Sequence, residues 1–244
     1  MKISISKRVK SDKESLMAYP QKLEIFSDYI WPWCYFITGS IERLQKDFEI
    51  DIQWTAFPLH PDTPEQGRTL EELFAGRNID IDQMMDHLRQ VASQFGLPFG
   101  ERKKTFNSRL AQELGKFAEL EGKGNEFHKA VFKAYFVDGQ NIGKTSVLLE
   151  IAELIHLNGK NAQKIIRERT YKDAVDSDWK RSYELGVTAV PTFLFNNQRL
   201  VGAQSFETLE KLLLSNNVNK RNWRNKRIIS RLVLDNLGKM SGHL

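Results

Sequence analysis

Ile25-Phe-Ser-Asp-Tyr-Ile-Trp-Pro-Trp-Cys-Tyr35 runs from a short apolar strand through a proline-containing turn into a helix, and the fold turns on this stretch. A strand that ends in X-Pro-X-Cys at a helix start is a favourable place for a reactive sulfur. Unpaired amide N–H groups and the positive end of the helix dipole both favour a thiolate there. Cys34 is the only cysteine of the 244 residues. One cysteine excludes an internal disulfide framework and any Cys-rich metal cluster, and leaves a free thiol or a mixed disulfide with another molecule.

Outward from this corner, Lys22 to Ser27 reads as a strand, Trp33 to Lys46 as a helix, and Ile50 to Phe57, with its alternating apolar side chains, as a second strand. Strand, helix and strand in so short a span form a βαβ unit with parallel strands. Pro58, Pro61 and Pro64 then keep the chain extended. From Thr69 to about Gly186 the patterns are helical only, opening on a capping box at Thr69 to Glu72. Strand signals return at Pro191 to Asn196 and Arg199 to Val201, followed by a helix from Ser205 to Leu214. The simplest α/β assembly is one sheet built from both ends of the chain, with the helical block inserted between the halves.

Five ordered stretches carry a more specific likeness. They are the corner SDYIWPWCY, the strand exit WTAFPLHP with Gly67 soon after, the helical run FNSRLAQELGKFAE followed by FHKAVFKAYFVDGQNIG, the segment Gly186-Val-Thr-Ala-Val190-Pro191-Thr-Phe, and Val201-Gly202-Ala203-Gln204. In these the chain resembles the DsbA family of thioredoxin-fold proteins, and within it the FrnE-like branch, which is related to kappa-class glutathione transferases and 2-hydroxychromene-2-carboxylate isomerases. The resemblance implies a thioredoxin fold with a large all-helical insertion between a βαβ half and a ββα half. Residues 22–60 and 187–216 would form the thioredoxin-like domain and 61–186 the inserted helical domain, flanked by a polar leader at 1–21 and a basic tail at 217–244.

The resemblance also implies roles. Val190-Pro191 matches the family's cis-proline element, which faces the corner and docks an extended peptide or a glutathione backbone. The substrate-binding set is then Trp31, Pro32, Trp33, Val190 and Pro191, and the catalytic candidate is Cys34. The family motif normally reads Cys-Pro-X-Cys, but its first position here is Trp31. An indole cannot attack a disulfide, so a dithiol cycle within one chain is excluded. What remains is a thiol-disulfide oxidoreductase-class protein with a degenerate WPWC motif, acting through Cys34 alone on glutathione or protein thiols. Two alternatives stand beside it: a glutathione-dependent isomerase or transferase whose cofactor brings its own sulfur, and a redox-inactive peptide-binding module. Ser27 and Asp28 lie just upstream, and residues of this kind at a strand end more often satisfy local backbone N–H groups than hold a ligand.

Composition narrows the partners. The net charge is +5, but residues 1–21 carry +3 and residues 220–244 carry +6, leaving −4 on the body between them. A mildly acidic body with basic ends is not a nucleic-acid-binding footprint. No apolar run has the length of a signal core or a membrane span, so a cytoplasmic protein is expected. His60, His87, His128, His156 and His243 show no paired metal-ligand spacing, so no metal is expected, and they read as surface or packing residues. No covalently held cofactor is implied; glutathione is the candidate ligand, the substrate a thiol, a disulfide, a peptide or a small molecule. Homodimerisation is compatible with this reading. Phe127, Phe132, Tyr135 and Phe136 recur at helical spacing and read as core, whereas Trp31 and Trp33 read as walls of an apolar slot or a lid on the helical block.

Overall fold

A computed structural model of the chain describes residues 21–221. The chain opens with β1 (Gln21–Ser27), the short helix α1 (Pro32–Phe36), α2 (Thr38–Asp47) and β2 (Ile50–Ala56). β1 and β2 pair in parallel from Gln21↔Ile50 to Ser27↔Ala56, with the helices as the crossover. At the far end of the chain β5 (Thr192–Phe195) and β6 (Gln198–Val201) form a hairpin, and β5 lies antiparallel against β1, with Phe26 opposite Thr192. The sheet order is therefore β2-β1-β5-β6, a thioredoxin-like sheet completed by α10 (Phe206–Ser215).

Between the sheet halves lie α3 (Leu70–Leu73), α4 (Ile81–Gln94), α5 (Arg109–Leu120), α6 (Gly124–Phe136), α7 (Thr145–Leu154), α8 (Gly159–Glu168) and α9 (Lys172–Glu184). α3 starts on the expected capping box, with Thr69 Oγ1 accepting from the Glu72 N–H and the Glu72 carboxylate accepting from the Thr69 N–H. The block is not purely helical. Arg68–Thr69 (β3) pairs antiparallel with Lys104–Thr105 (β4) in a two-residue ribbon, too short for an alternation pattern to register in the sequence.

Alternation along β1 sorts its side chains between two cores. Leu23 and Ile25 face a core shared with Ile41 and Leu44 of α2, Phe193 and Phe195 of β5, and Leu209 and Leu213 of α10. Phe26 faces a larger core in which the corner, including Cys34 and Phe36, packs against Leu114, Phe127, Phe132, Tyr135 and Phe136 of the helical block. Those four aromatics of α6 are buried, as their spacing suggested. Residues 217–221, assigned to the tail by sequence, return to the sheet: Val218 enters the smaller core, the Glu49 N–H donates to Asn219 O, and the Arg221 N–H donates to Asp47 O. The rest of the leader and tail lies outside the described residues. No described helix is long and apolar enough to cross a membrane.

Candidate functional site at the strand-to-helix corner

The corner forms because Trp31 is extended (φ −98°, ψ 118°) and Pro32 occupies the first helical position, where its missing N–H costs nothing. The N–H of Trp31 donates to Asp28 O at 3.2 Å and that of Cys34 to Trp31 O at 3.0 Å, closing one tight turn. α1 lasts only five residues before the chain re-enters helix at Thr38, so the single long helix expected from Trp33 is in fact broken near Ile37. Tyr35 ties the corner to the insertion by donating its hydroxyl to Pro98 O at 2.8 Å, and its ring stacks on Phe136 at 5.1 Å.

This turn rotates Cys34 inward. The sulfur-bearing residue has no exposed surface, and burial pushes its thiol up to about 12, against the small lowering effect of hydrogen bonds from the Ser27 side chain and the Asp28 backbone. A thiol so placed is un-ionised at neutral pH and out of reach of a dissolved partner. Asp28, beside it, is also buried. Its Oδ1 accepts from the Ile30 N–H at 3.1 Å and its Oδ2 from the Leu59 N–H at 3.0 Å. Burial nevertheless raises its carboxyl to about 6. Asp28 thus satisfies backbone donors that would otherwise be orphaned, joining the corner to the exit of β2.

Trp31 and Trp33 are half-buried and line a cleft of about 400 Å³ between the corner and the helical block. It is also lined by Leu73 of α3, by Phe74 just after that helix, and by Met84 and Leu88 of α4. Polar groups enter from His60 after β2, from Arg77 and His87, from Arg102 just before β4 and from Thr105 within it. The structure thus brings Trp31, Pro32 and Trp33 together at one opening. Cys34, Val190 and Pro191 do not line it.

Val190 and Pro191 lie just before β5, which runs antiparallel to β1, so they sit at the same end of the sheet as the corner. The Val190–Pro191 peptide bond is cis. Both side chains are buried, Pro191 O accepts from the Gly202 N–H at 2.8 Å, and neither the N–H nor the C=O of Val190 hydrogen-bonds another described residue. His60 and His87, read from sequence as surface or packing residues, both reach the cleft; His60 is held low by burial and by the charges of Arg68 and Arg77. Arg77 and Arg102 were not singled out, because nothing in their local sequence marks them and only the packing of β4 and α3 against the corner brings them in. Among the described residues no three His, Cys, Asp or Glu side chains converge as metal ligands.

Comparison with known proteins agrees with this architecture. The Bacillus subtilis protein YwbO is 29% identical over 196 residues, covering 78% of this chain and 94% of that protein. The crystal structure of a probable DsbA oxidoreductase, SCO1869, from Streptomyces coelicolor superposes with a TM-score of 0.73 at 23% identity, over 80% of this chain and 89% of that one. The cytosolic disulfide reductase DsbM from Pseudomonas aeruginosa, solved with GSH, does so at 0.57 and 20% identity, over 79% and 98% of the two chains. At these identities the two structures speak for the shared fold. A family model for the DSBA-like thioredoxin domain matches residues 22–214, almost the whole described chain, and with its sheet, corner and helical insertion in place this protein belongs to the DSBA-like thioredoxin domain family.

Proposed function

We propose that this DsbA-like protein has given up protein-thiol exchange and works as a glutathione-dependent isomerase or transferase, with the reacting sulfur supplied by the ligand. The carrying observation is the contrast at the corner: Cys34 is fully buried with its thiol near 12, while an open apolar cleft begins one turn earlier at Trp31. Single-thiol exchange through Cys34 needs a thiolate at the surface, whereas a ligand-borne thiolate needs only a dock and a slot for its electrophile. Val190 offers the dock, since its free N–H and C=O suit an extended glutathione backbone next to Pro191. Trp31, Pro32 and Trp33 offer the slot. The glutathione in the DsbM structure is a precedent for this fold taking that ligand. A reducing cytoplasm, rich in free thiols, is the compartment such a protein requires.

Calorimetric titration with glutathione at millimolar concentration, on the natural protein and on Cys34→Ser, tests the reading. Equal binding to both is expected, with alkylation of Cys34 no faster than global unfolding. Absence of binding, loss of binding in Cys34→Ser, or a glutathione mixed disulfide on Cys34 would each sink it; the last outcome would restore the single-thiol reading.

A further inference from the structure

We propose that His128 is an acid-triggered latch: neutral, it holds the seam between α6 and the sheet shut, and charged, it leaves that seam for the groove between α2 and α6. The latch shares no described lining residue with the Trp31 cleft and needs no ligand, so it stands or falls apart from the glutathione reading.

The seam is a stack of three rings from three segments. His128 of α6 lies 4.5 Å from the Trp54 ring of β2 on one side and 5.1 Å from the Tyr29 ring of the corner on the other. A narrow pit of about 20 Å³, room for one water, runs beside the stack and is lined by Ser27, Tyr29, Gly115 and Glu119. Gly115 keeps that space, since an added Cβ would stand 2.9 Å from the Tyr29 hydroxyl. A wider groove of about 270 Å³ is lined by Glu42 and Gln45 of α2 and by Asn125, Glu126 and Lys129 of α6. Trp54 and His128 line both spaces and form the partition between them.

The partition suits a neutral imidazole only. His128 Nε2 lies 3.3 Å from Glu119 Oε1, so with Glu119 ionised that nitrogen carries the proton and donates it. Nδ1 is then a bare acceptor, fully buried and without a hydrogen-bond partner among the described residues, as is Trp54 Nε1. Neither atom is open to the pit or the groove, which is the shut state. A second proton turns Nδ1 into a charged donor with nothing to accept it, a far costlier burial than that of a bare lone pair. The surrounding charges do not repair this. Glu119 favours the cation, but Lys116 of α5 stands 3.7 Å from the same carboxylate and is held by Asp178 of α9 at 2.6 Å. The corner adds Tyr29 and the charge of Asp28, and β2 adds only the Trp54 ring. Burial outweighs Glu119, and the charged form is disfavoured. The groove offers what the stack lacks: water, exposed Glu126, and Glu42, already paired with Lys129 at 3.0 Å. Because His128 also lines the groove, a change of side-chain rotamer carries the charged ring there, uncovers Trp54 Nε1 and joins the pit to the groove.

The test is exchange of the Trp54 indole N–H with water, read by NMR as protection relative to a free indole at the same pH, with Trp54→Phe used only to assign the signal. Between about pH 7.5 and 5.5 the protection should fall by at least roughly threefold, with the midpoint that the His128 imidazole itself shows in the same samples. In His128→Phe, which keeps a ring in the stack and does not titrate, it should stay level. The Trp179 indole, whose N–H donates to Gln112 Oε1 at 2.9 Å, reports on the rest of the fold and should also stay level. Trp54 protection that is independent of pH in the natural protein, that falls equally in His128→Phe, or that falls in step with Trp179 overturns the proposal. Should His128→Phe lose its cooperative melt, the double variant Glu42→Gln, Glu126→Gln decides, since both carboxylates are exposed and receive the charged ring: an acid response reduced several-fold supports the latch, and an unchanged one refutes it.

Discussion

Asp28 shows how a single buried residue can set a pH response. An acid whose folded-state carboxyl sits near 6 against an ordinary 3.8 is disfavoured as an anion by folding, mainly through burial. The penalty is absent where both states are protonated and complete above about 6, so this group removes stability as pH rises through roughly 4 to 6. In urea unfolding of the natural protein and Asp28→Asn, the stability gap should move in favour of the variant by roughly 1–3 kcal/mol over that window. A gap independent of pH would mean that Asp28 is not the titrating group. The paired comparison matters because buried His128, held low chiefly by burial, bends the curve of both proteins in the opposite sense. The role of Asp28 at a strand end, bonding local backbone N–H groups, was legible from its residue type; its burial was not, since that depends on Leu59 and Gln112 arriving from other segments.

Among the elements, the strands and most helices were legible because each carries a period or a cap of its own. The capping box at Thr69, the alternation of Ile50 to Ala56 and the aromatic face of α6 are local patterns. The break between α1 and α2, the β3–β4 ribbon and the cleft are not, since they arise where separate segments meet. The loop between α4 and β4 is the clearest case. Gly100 presses against the end of α6, with its N–H donating to Phe136 O at 2.8 Å, and an added Cβ would collide with the Val137 carbonyl oxygen. Gly100→Ala should therefore destabilise by about 1–3 kcal/mol, as overpacking against fixed backbone does. Because Arg102 lies two residues on, ligand affinity in the cleft should fall as well. Thermal unfolding checks the first effect, and an unchanged melting temperature would show that the loop yields freely.

Across the molecule, the helical block is held to the sheet by apolar packing and by carboxylates bridged from a distance. Glu24 on β1 accepts both from Arg181 Nε and from Arg181 Nη2 at 2.8 Å, with Thr55 Oγ1 donating to the same carboxylate. Burial would raise this carboxyl, but Arg181 and Thr55 together hold it below the ordinary value. The pair contributes above the unfolded carboxylate range near 4.5 and fades as pH falls through the lower folded value. Arg181→Met should cost about 1–2 kcal/mol at pH 7, less than a fully buried pair because the guanidinium is half exposed, and the cost should shrink in acid. Chemical denaturation at pH 7 and pH 4 reads both; an equal loss at the two pH values would assign the effect to packing alone. Sequence disclosed that the two ends of the chain share a sheet, but not which charged groups fasten the insertion to it. That shared sheet also dictates an order of assembly during synthesis. β1 leaves the ribosome before the whole helical block, whereas its antiparallel neighbour β5 follows only after it. Until then β2 covers one edge of a strand carrying Leu23, Ile25 and Phe26 while the other stays open to pairing with another chain, and the nascent protein depends on rapid helix packing to bury the faces of that strand.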